Sequence, residues 1–168
     1  TAKHLVFATG ARDELPGIPG LKEQWGRGVV ACPYCDGYEA RGRAIGVLAG
    51  SAMGLHKAHM LRSYSDNITV FVGDLPLSER LILEERGMRV ITTPVTHVVS
   101  DGDRLTGVAH DDGTITAVEV VFADSTVSVL DAPMQGLGVD YTETPMGPWP
   151  TVDALGHTSV PGVWAIGN

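Results

Sequence analysis

The chain has 168 residues, 43% apolar and 19% charged, with 21 glycines and a formal net charge of -8. This describes a soluble α/β globule of one domain or slightly more, and excludes a disordered or fibrous chain. The acidic balance without any cluster of Lys and Arg counts against nucleic acid or an anionic membrane as partner; the apolar runs are too short to span a bilayer and no leader segment opens the chain, so a cytoplasmic setting is expected.

The chain opens on Thr1 rather than Met and runs into a short apolar strand from His4 to Ala8, closed by Ala8-Thr9-Gly10. Pro16-Gly17-Ile18-Pro19-Gly20 reads as a linker or crossover. Gly28 to Cys32 reads as extended, and a turn from Gly37 to Gly42 leads into a buried strand from Arg43 to Ala49. Leu55, Ala58, Met60 and Leu61 fall at helical spacing, which predicts a helix over Met53 to Tyr64. Asn67 to Val72 is rich in β-branched and aromatic residues and predicts a second strand. Leu77 to Arg86 predicts an amphipathic helix closed by Gly87, and Met88 to Thr92 a third strand. Strand, helix, strand, helix, strand is a Rossmann-like βαβαβ unit with a parallel sheet and a ligand edge at the strands' carboxyl ends. From Pro94 to Asp124, Asp101-Gly102-Asp103 and Asp111-Asp112-Gly113 signal hairpins, predicting an antiparallel β-meander over one face of the sheet. Asp131 to Trp149 reads as a Pro- and Gly-rich loop, and Gly162 to Asn168 as a buried strand. With a strand left open at each end, a longer protein is expected to supply the missing neighbours.

Only two cysteines are present, in Cys32-Pro33-Tyr34-Cys35. A loop this short makes a poor structural staple, because closing it removes little unfolded-state entropy. In a cytosolic α/β protein the spacing reads as a redox pair, in which one thiolate attacks a disulfide and the other resolves the mixed disulfide. Asp36 follows directly and can serve as acid or base for the sulfurs. Structural zinc and inert thiols are the competing readings; zinc needs four ligands, and among six histidines only His56 and His59 lie close in sequence.

A pyrophosphate-binding turn belongs after the Arg43 to Ala49 strand, with glycines for the tight turn, for phosphate approach and for helix packing. Those places hold Ala49, Ser51 and Gly54, with Gly50 supplying some freedom between the first two. The extra Cβ atoms at Ala49 and Ser51 count against pyrophosphate binding here. Asp74 stands where a carboxylate can accept hydrogen bonds from the ribose of NAD, and a solvated residue before the next helix is the competing reading.

Taken in order, Ala8-Thr9-Gly10, the Cys32 to Gly37 motif, the βαβαβ unit and Pro161-Gly162-Val163-Trp164-Ala165-Ile166-Gly167-Asn168 resemble thioredoxin reductases of the low-molecular-weight class along essentially the whole chain. That resemblance implies an internal stretch of a homodimeric FAD enzyme. Residues 1–22 would be the end of one FAD-domain piece, 23–124 an NAD(P)-binding-like domain, and 125–168 the start of a second FAD piece. By resemblance, Cys35 faces the flavin, Cys32 exchanges with a thioredoxin-like protein or small disulfide or dithiol, and Asp36 donates protons. Thr9, Gly10, Gly167 and Asn168 would contact FAD, Asn168 replacing the usual Asp, while Gly50, Ser51 and Gly54 stand at the nicotinamide loop. The family's His-Arg-Arg clamp for NADPH is replaced by Val72-Gly73-Asp74, which with the altered glycines counts against NADPH or NADH. The same combination looks like the family's dithiol oxidases, which pass electrons from a dithiol through FAD to oxygen. A nucleotide-fold module without catalysis is the remaining alternative. Trp25, Trp149 and Trp164 are expected to pack, His56 and His59 to lie on a helix surface, and Tyr34 and Tyr38 to lie near the cysteines.

Overall fold

The computed structural model describes residues 2–167. It divides into two compact units, a central one of Leu15–Ser125 and an outer one of Thr1–Glu14 with Thr126–Asn168. In chain order the elements begin with β1 (Leu5–Phe7), β2 (Ala11–Glu14), β3 (Val29–Val30), α1 (Pro33–Asp36), β4 (Ile45–Leu48), α2 (Ala52–Leu61), β5 (Ile68–Phe71), α3 (Leu77–Glu85) and β6 (Arg89–Ile91). They continue with β7 (Val95–Asp101), β8 (Arg104–His110), β9 (Ile115–Ala117), β10 (Val120–Phe122), β11 (Thr126–Val129), β12 (Tyr141–Thr144), β13 (Gly147–Pro150) and β14 (Val163–Ala165).

The central unit is built on a parallel sheet of order β3-β10-β4-β5-β6. Its side chains alternate between two cores, as the strand period requires. Ile45, Val47, Val70 and Phe122 pack with Ala58 and Leu61 of α2 and Leu83 of α3. Leu48, Phe71 and Val121 pack on the other side with Val98, Leu105 and Val108 of the antiparallel β7-β8-β9 meander. Helices on one face and a meander on the other form the expected three-layer β/β/α arrangement. Each large apolar side chain hidden here contributes roughly 1.5–3 kcal/mol.

Two boundaries differ from those expected of the sequence. Val120 to Phe122, expected within the meander, instead enters the parallel sheet between β3 and β4. All three residues of β10 are buried, the pattern of a strand covered on both faces. Residues 15–22, expected to close a flavin-domain piece, belong to the central unit. Leu21 is 1% exposed in the meander-side core, and the Val98 amide donates to the Pro19 carbonyl at 2.9 Å, so the Pro- and Gly-rich stretch is packed rather than a free linker.

The outer unit consists of three strand pairs: β1 parallel to β14, β2 antiparallel to β11, and the hairpin β12-β13. That hairpin lies inside the stretch expected to be a loop. Tyr141-Thr142-Glu143-Thr144 carries aromatic and β-branched residues suited to a strand, and the glycines and prolines that signal a loop serve its turn and the edge strand β13. The expectation of a buried strand at β14 holds at Val163 alone.

Candidate active site

The carboxyl edge of the parallel sheet gathers the chemistry of the central unit. Cys32, Gly50, Gly73 and Asp124 each lie two residues beyond the end of β3, β4, β5 and β10 respectively. Open α/β sheets bind their ligands along this edge, where chains leaving adjacent strands diverge.

Cys32 caps the single helical turn α1 from extended backbone, and Pro33 occupies the first helical position, where its missing N–H costs nothing. The Cys32 carbonyl accepts from the amides of Cys35 and Asp36 at 3.1 and 3.0 Å, which turns both thiols toward each other. Cys35 Sγ donates to Cys32 Sγ across 2.8 Å. Cys32 is half-buried and Cys35 exposed, and both are free thiols. The hydrogen bond to Cys32 raises the Cys35 pKa above the ordinary thiol value, helped by partial desolvation and by the charges of Cys32 and Asp36. Burial raises Asp36 above the ordinary carboxyl value, and the charge of Glu39 adds to the shift. Asp36 therefore holds a proton beside the sulfurs to higher pH than a free aspartate does.

Gly37 closes this turn for a reason that spacing alone does not reveal. A Cβ there would collide with the Pro33 carbonyl and lie 2.6 Å from the Tyr64 ring, so only glycine lets the cysteine turn settle against the end of α2. Tyr34 and Tyr38 are 79% and 65% exposed, and Arg41 stacks on the Tyr38 ring at 4.4 Å.

At the next turn Ser51 caps α2, its Oγ accepting from the Gly54 amide at 3.2 Å. Gly54 is a packing glycine, since a Cβ there would lie 2.7 Å from Ala49 Cα. Asp124, which no local sequence signal marks, presents Oδ2 3.1 Å from that Cβ position and 3.8 Å from the one at Gly50. Its Oδ1 lies 3.8 Å from Nζ of Lys57, and both side chains are almost buried. The same Nζ donates to the Ala123 carbonyl at 2.9 Å. Asp74 is exposed, in keeping with the solvated reading. His56 is exposed, but His59 is half-buried with Nδ1 3.1 Å from Arg86 Nη1. Burial first, then the Arg86 charge, lowers its pKa. Among the described residues no group of three or more His, Cys, Asp or Glu is arranged to hold a metal ion, and no helix is long and apolar enough to cross a membrane.

The outer unit holds a cavity of about 90 Å³ whose lining includes Thr9, Gly10, Met134, Trp149, Ile166 and Gly167. Gly10 and Gly167 adopt φ of +72° and +91°, and among the described residues no atom lies within 4 Å of where their Cβ atoms would stand. Trp149 Nε1 is buried with no acceptor among the described residues. Trp164 instead meets His4 and His157 edge to face or tilted, each at 5.3 Å, and Trp25 is 36% exposed. Asn168 lies outside the described residues.

The family model of pyridine nucleotide-disulphide oxidoreductases matches residues 1–168. The chain belongs to this family. Among its relatives, the F component of alkyl hydroperoxide reductase from Pseudomonas putida is 30% identical over 185 residues, covering 99% of this chain and 34% of that protein. Thioredoxin reductase tcpT of Claviceps purpurea is 28% identical over 176 residues, covering 99% of this chain and 54% of that one. The crystal structure of HlmI superposes with a TM-score of 0.87 at 39% identity, covering 98% of this chain and 52% of that chain. The chain thus spans between about a third and a half of these relatives.

Proposed function

We propose that this member of the pyridine nucleotide-disulphide oxidoreductases is the redox-active stretch of a FAD-dependent, thioredoxin-reductase-like enzyme, with Cys32 and Cys35 cycling between dithiol and disulfide. The observation that carries this is the pair of free sulfurs 2.8 Å apart at the sheet's carboxyl edge. A modest closure would bring them to the roughly 2.05 Å of a disulfide bond.

The chain's own residues account for the sulfur chemistry. With a substrate disulfide, the Cys32 thiolate attacks one sulfur and releases the other as a thiolate, leaving a mixed disulfide. The Cys35 thiolate then attacks Cys32 Sγ, closing the Cys32–Cys35 disulfide and releasing the second substrate thiolate. Asp36 supplies the proton to a departing sulfur when protonated and takes one from an attacking thiol when ionised. With a substrate dithiol, the same exchanges run in reverse. FAD, when bound, supplies the two-electron couple that resets the pair.

Two features of the outer unit support this reading. Its cavity is lined by glycines with open space beside them and holds a buried donor at Trp149 without an acceptor among the described residues. Thr9, Gly10, Trp149, Gly167 and Asn168 are the residues that would hold it. In this reading the outer unit is part of a FAD domain, and the central unit an NAD(P)-type fold carrying the cysteines. The complete protein is a cytoplasmic homodimer whose partner is a thioredoxin-like protein or a small disulfide or dithiol.

A second reading, dithiol oxidation with no NADPH step, is favoured by Ala49 and Ser51, which stand where a pyrophosphate turn needs glycines. Anaerobic stopped-flow mixing of the full-length FAD-loaded protein with NADPH, NADH and a dithiol in turn separates the two. Flavin bleaching by a nicotinamide supports the reductase direction; bleaching by dithiol alone, reversed in air, supports the oxidase. No bleaching by any of them would sink both.

A further inference from the structure

Asp124 leaves β10 beside the turn between β4 and α2, the place where an αβ fold of this kind presents helix amides to a dinucleotide's pyrophosphate. One oxygen of its carboxylate faces that turn, 3.1 Å and 3.8 Å from the Cβ positions of Gly54 and Gly50. The other faces Lys57 Nζ at 3.8 Å. The amide of Gly54, one of those that would meet a phosphate, is already bonded to Ser51 Oγ at 3.2 Å. A carboxylate thus stands beside this turn, the nearby cation is paired, and one donor is in use.

We propose that Asp124 is the residue that sets this protein against nicotinamide dinucleotides, its carboxylate standing beside the α2 turn that a pyrophosphate would approach. An incoming pyrophosphate would bring its charge up to a carboxylate of the same sign, and like charges brought together in a low-dielectric site are strongly disfavoured. Lys57 matches the carboxylate from behind, which keeps Asp124 from swinging into solvent. The inference deepens the dithiol-driven reading above and rests on it for its functional meaning, but its geometry stands by itself.

The test is equilibrium binding of NADPH, NADH and inorganic pyrophosphate to the full-length FAD-loaded protein, followed by calorimetry. The wild type is expected to show no saturable binding up to about 1 mM. Asp124→Ala should bind at least about tenfold more tightly, because the opposing charge is gone. Asp124→Asn keeps the shape and guards against loss of folding in the alanine variant; it should show a smaller gain in the same direction. The double variant Ala49→Gly with Ser51→Gly, which restores the glycines but keeps the carboxylate, should stay as silent as the wild type. Wild-type binding as tight as that of Asp124→Ala would overturn the proposal. So would folded Asp124→Ala and Asp124→Asn proteins that gain nothing, or an equal gain from the glycine double variant. Dithiol-driven flavin bleaching in the same samples tests the functional reading separately. Its absence beside a gain of binding would remove that reading and leave the role of Asp124 intact.

Discussion

In the central unit β4 and β5 are buried along their whole length, whereas in the outer unit β1 leaves Leu5 40% and Val6 60% exposed. Both are short apolar strands in parallel pairs, so local sequence does not separate them. What separates them is cover. β4 has strands on either side and a layer on each face, while β1 pairs with β14 alone within its unit. The Cys32–Cys35 turn follows β3 of the first kind of framework, where neighbouring backbone is held by packing. The glycine-lined cavity is mounted on the second, among short strand pairs.

The largest effect that this contrast predicts lies at the sheet's carboxyl edge. Cys32→Ser or Cys35→Ser in the full-length protein should lower dithiol-dependent turnover by about 10³-fold or more, because neither exchange step can be completed by one sulfur. A loss below tenfold would show that the pair is not the reaction centre. Next comes the core beneath it. Phe122→Ala, at a position with 0% exposure, should cost about 3–5 kcal/mol in chemical denaturation, and a cost under about 1 kcal/mol would dissolve the distinction between the two units.

The third prediction concerns pH. Burial raises Asp36, so the folded state holds its proton above the ordinary range of about 3.9. The sign follows from linkage. Its contribution to stability is present in full below that ordinary value and is lost as pH rises through the raised folded value. As proton donor it should show the same direction in the rate, with turnover falling across that window. Asp36→Asn should remove the step and lower turnover by about 10²-fold; an unchanged pH profile in a steady-state series would count against the donor role. The smallest effect is expected at the exposed strand of the outer unit. Val6→Ala should move stability by no more than about 0.5 kcal/mol, and a larger loss measured beside Phe122→Ala would mean that β1 is covered after all.

Much of the central unit is legible in the sequence because its signals are local. Two thiols three residues apart with a carboxylate next to them, α2 and α3 at helical spacing, and the apolar and β-branched runs of β4 and β5 can each be recognised within a few residues. The order βαβαβ then implies a parallel sheet with the cysteines at its carboxyl edge. The hairpin of β12 and β13 is harder to see, because its turn residues dominate a stretch whose strand character rests on Tyr141, Thr142 and Thr144.

Other features depend on partners distant in sequence. Gly37 is crowded by Tyr64 as well as by its own turn, the place of β10 is set by β3 and β4, and Asp124 is paired with Lys57 and lies beside Gly54. The spacing of the two cysteines, the carboxylate next to them and the α/β rhythm can be read from the chain alone, since covalent spacing and side-chain periodicity are properties of short segments. Which strand lies beside which, and therefore which carboxylate lies beside the α2 turn, was decided by tertiary packing. Burial and charge pairing there join residues that chain distance keeps apart.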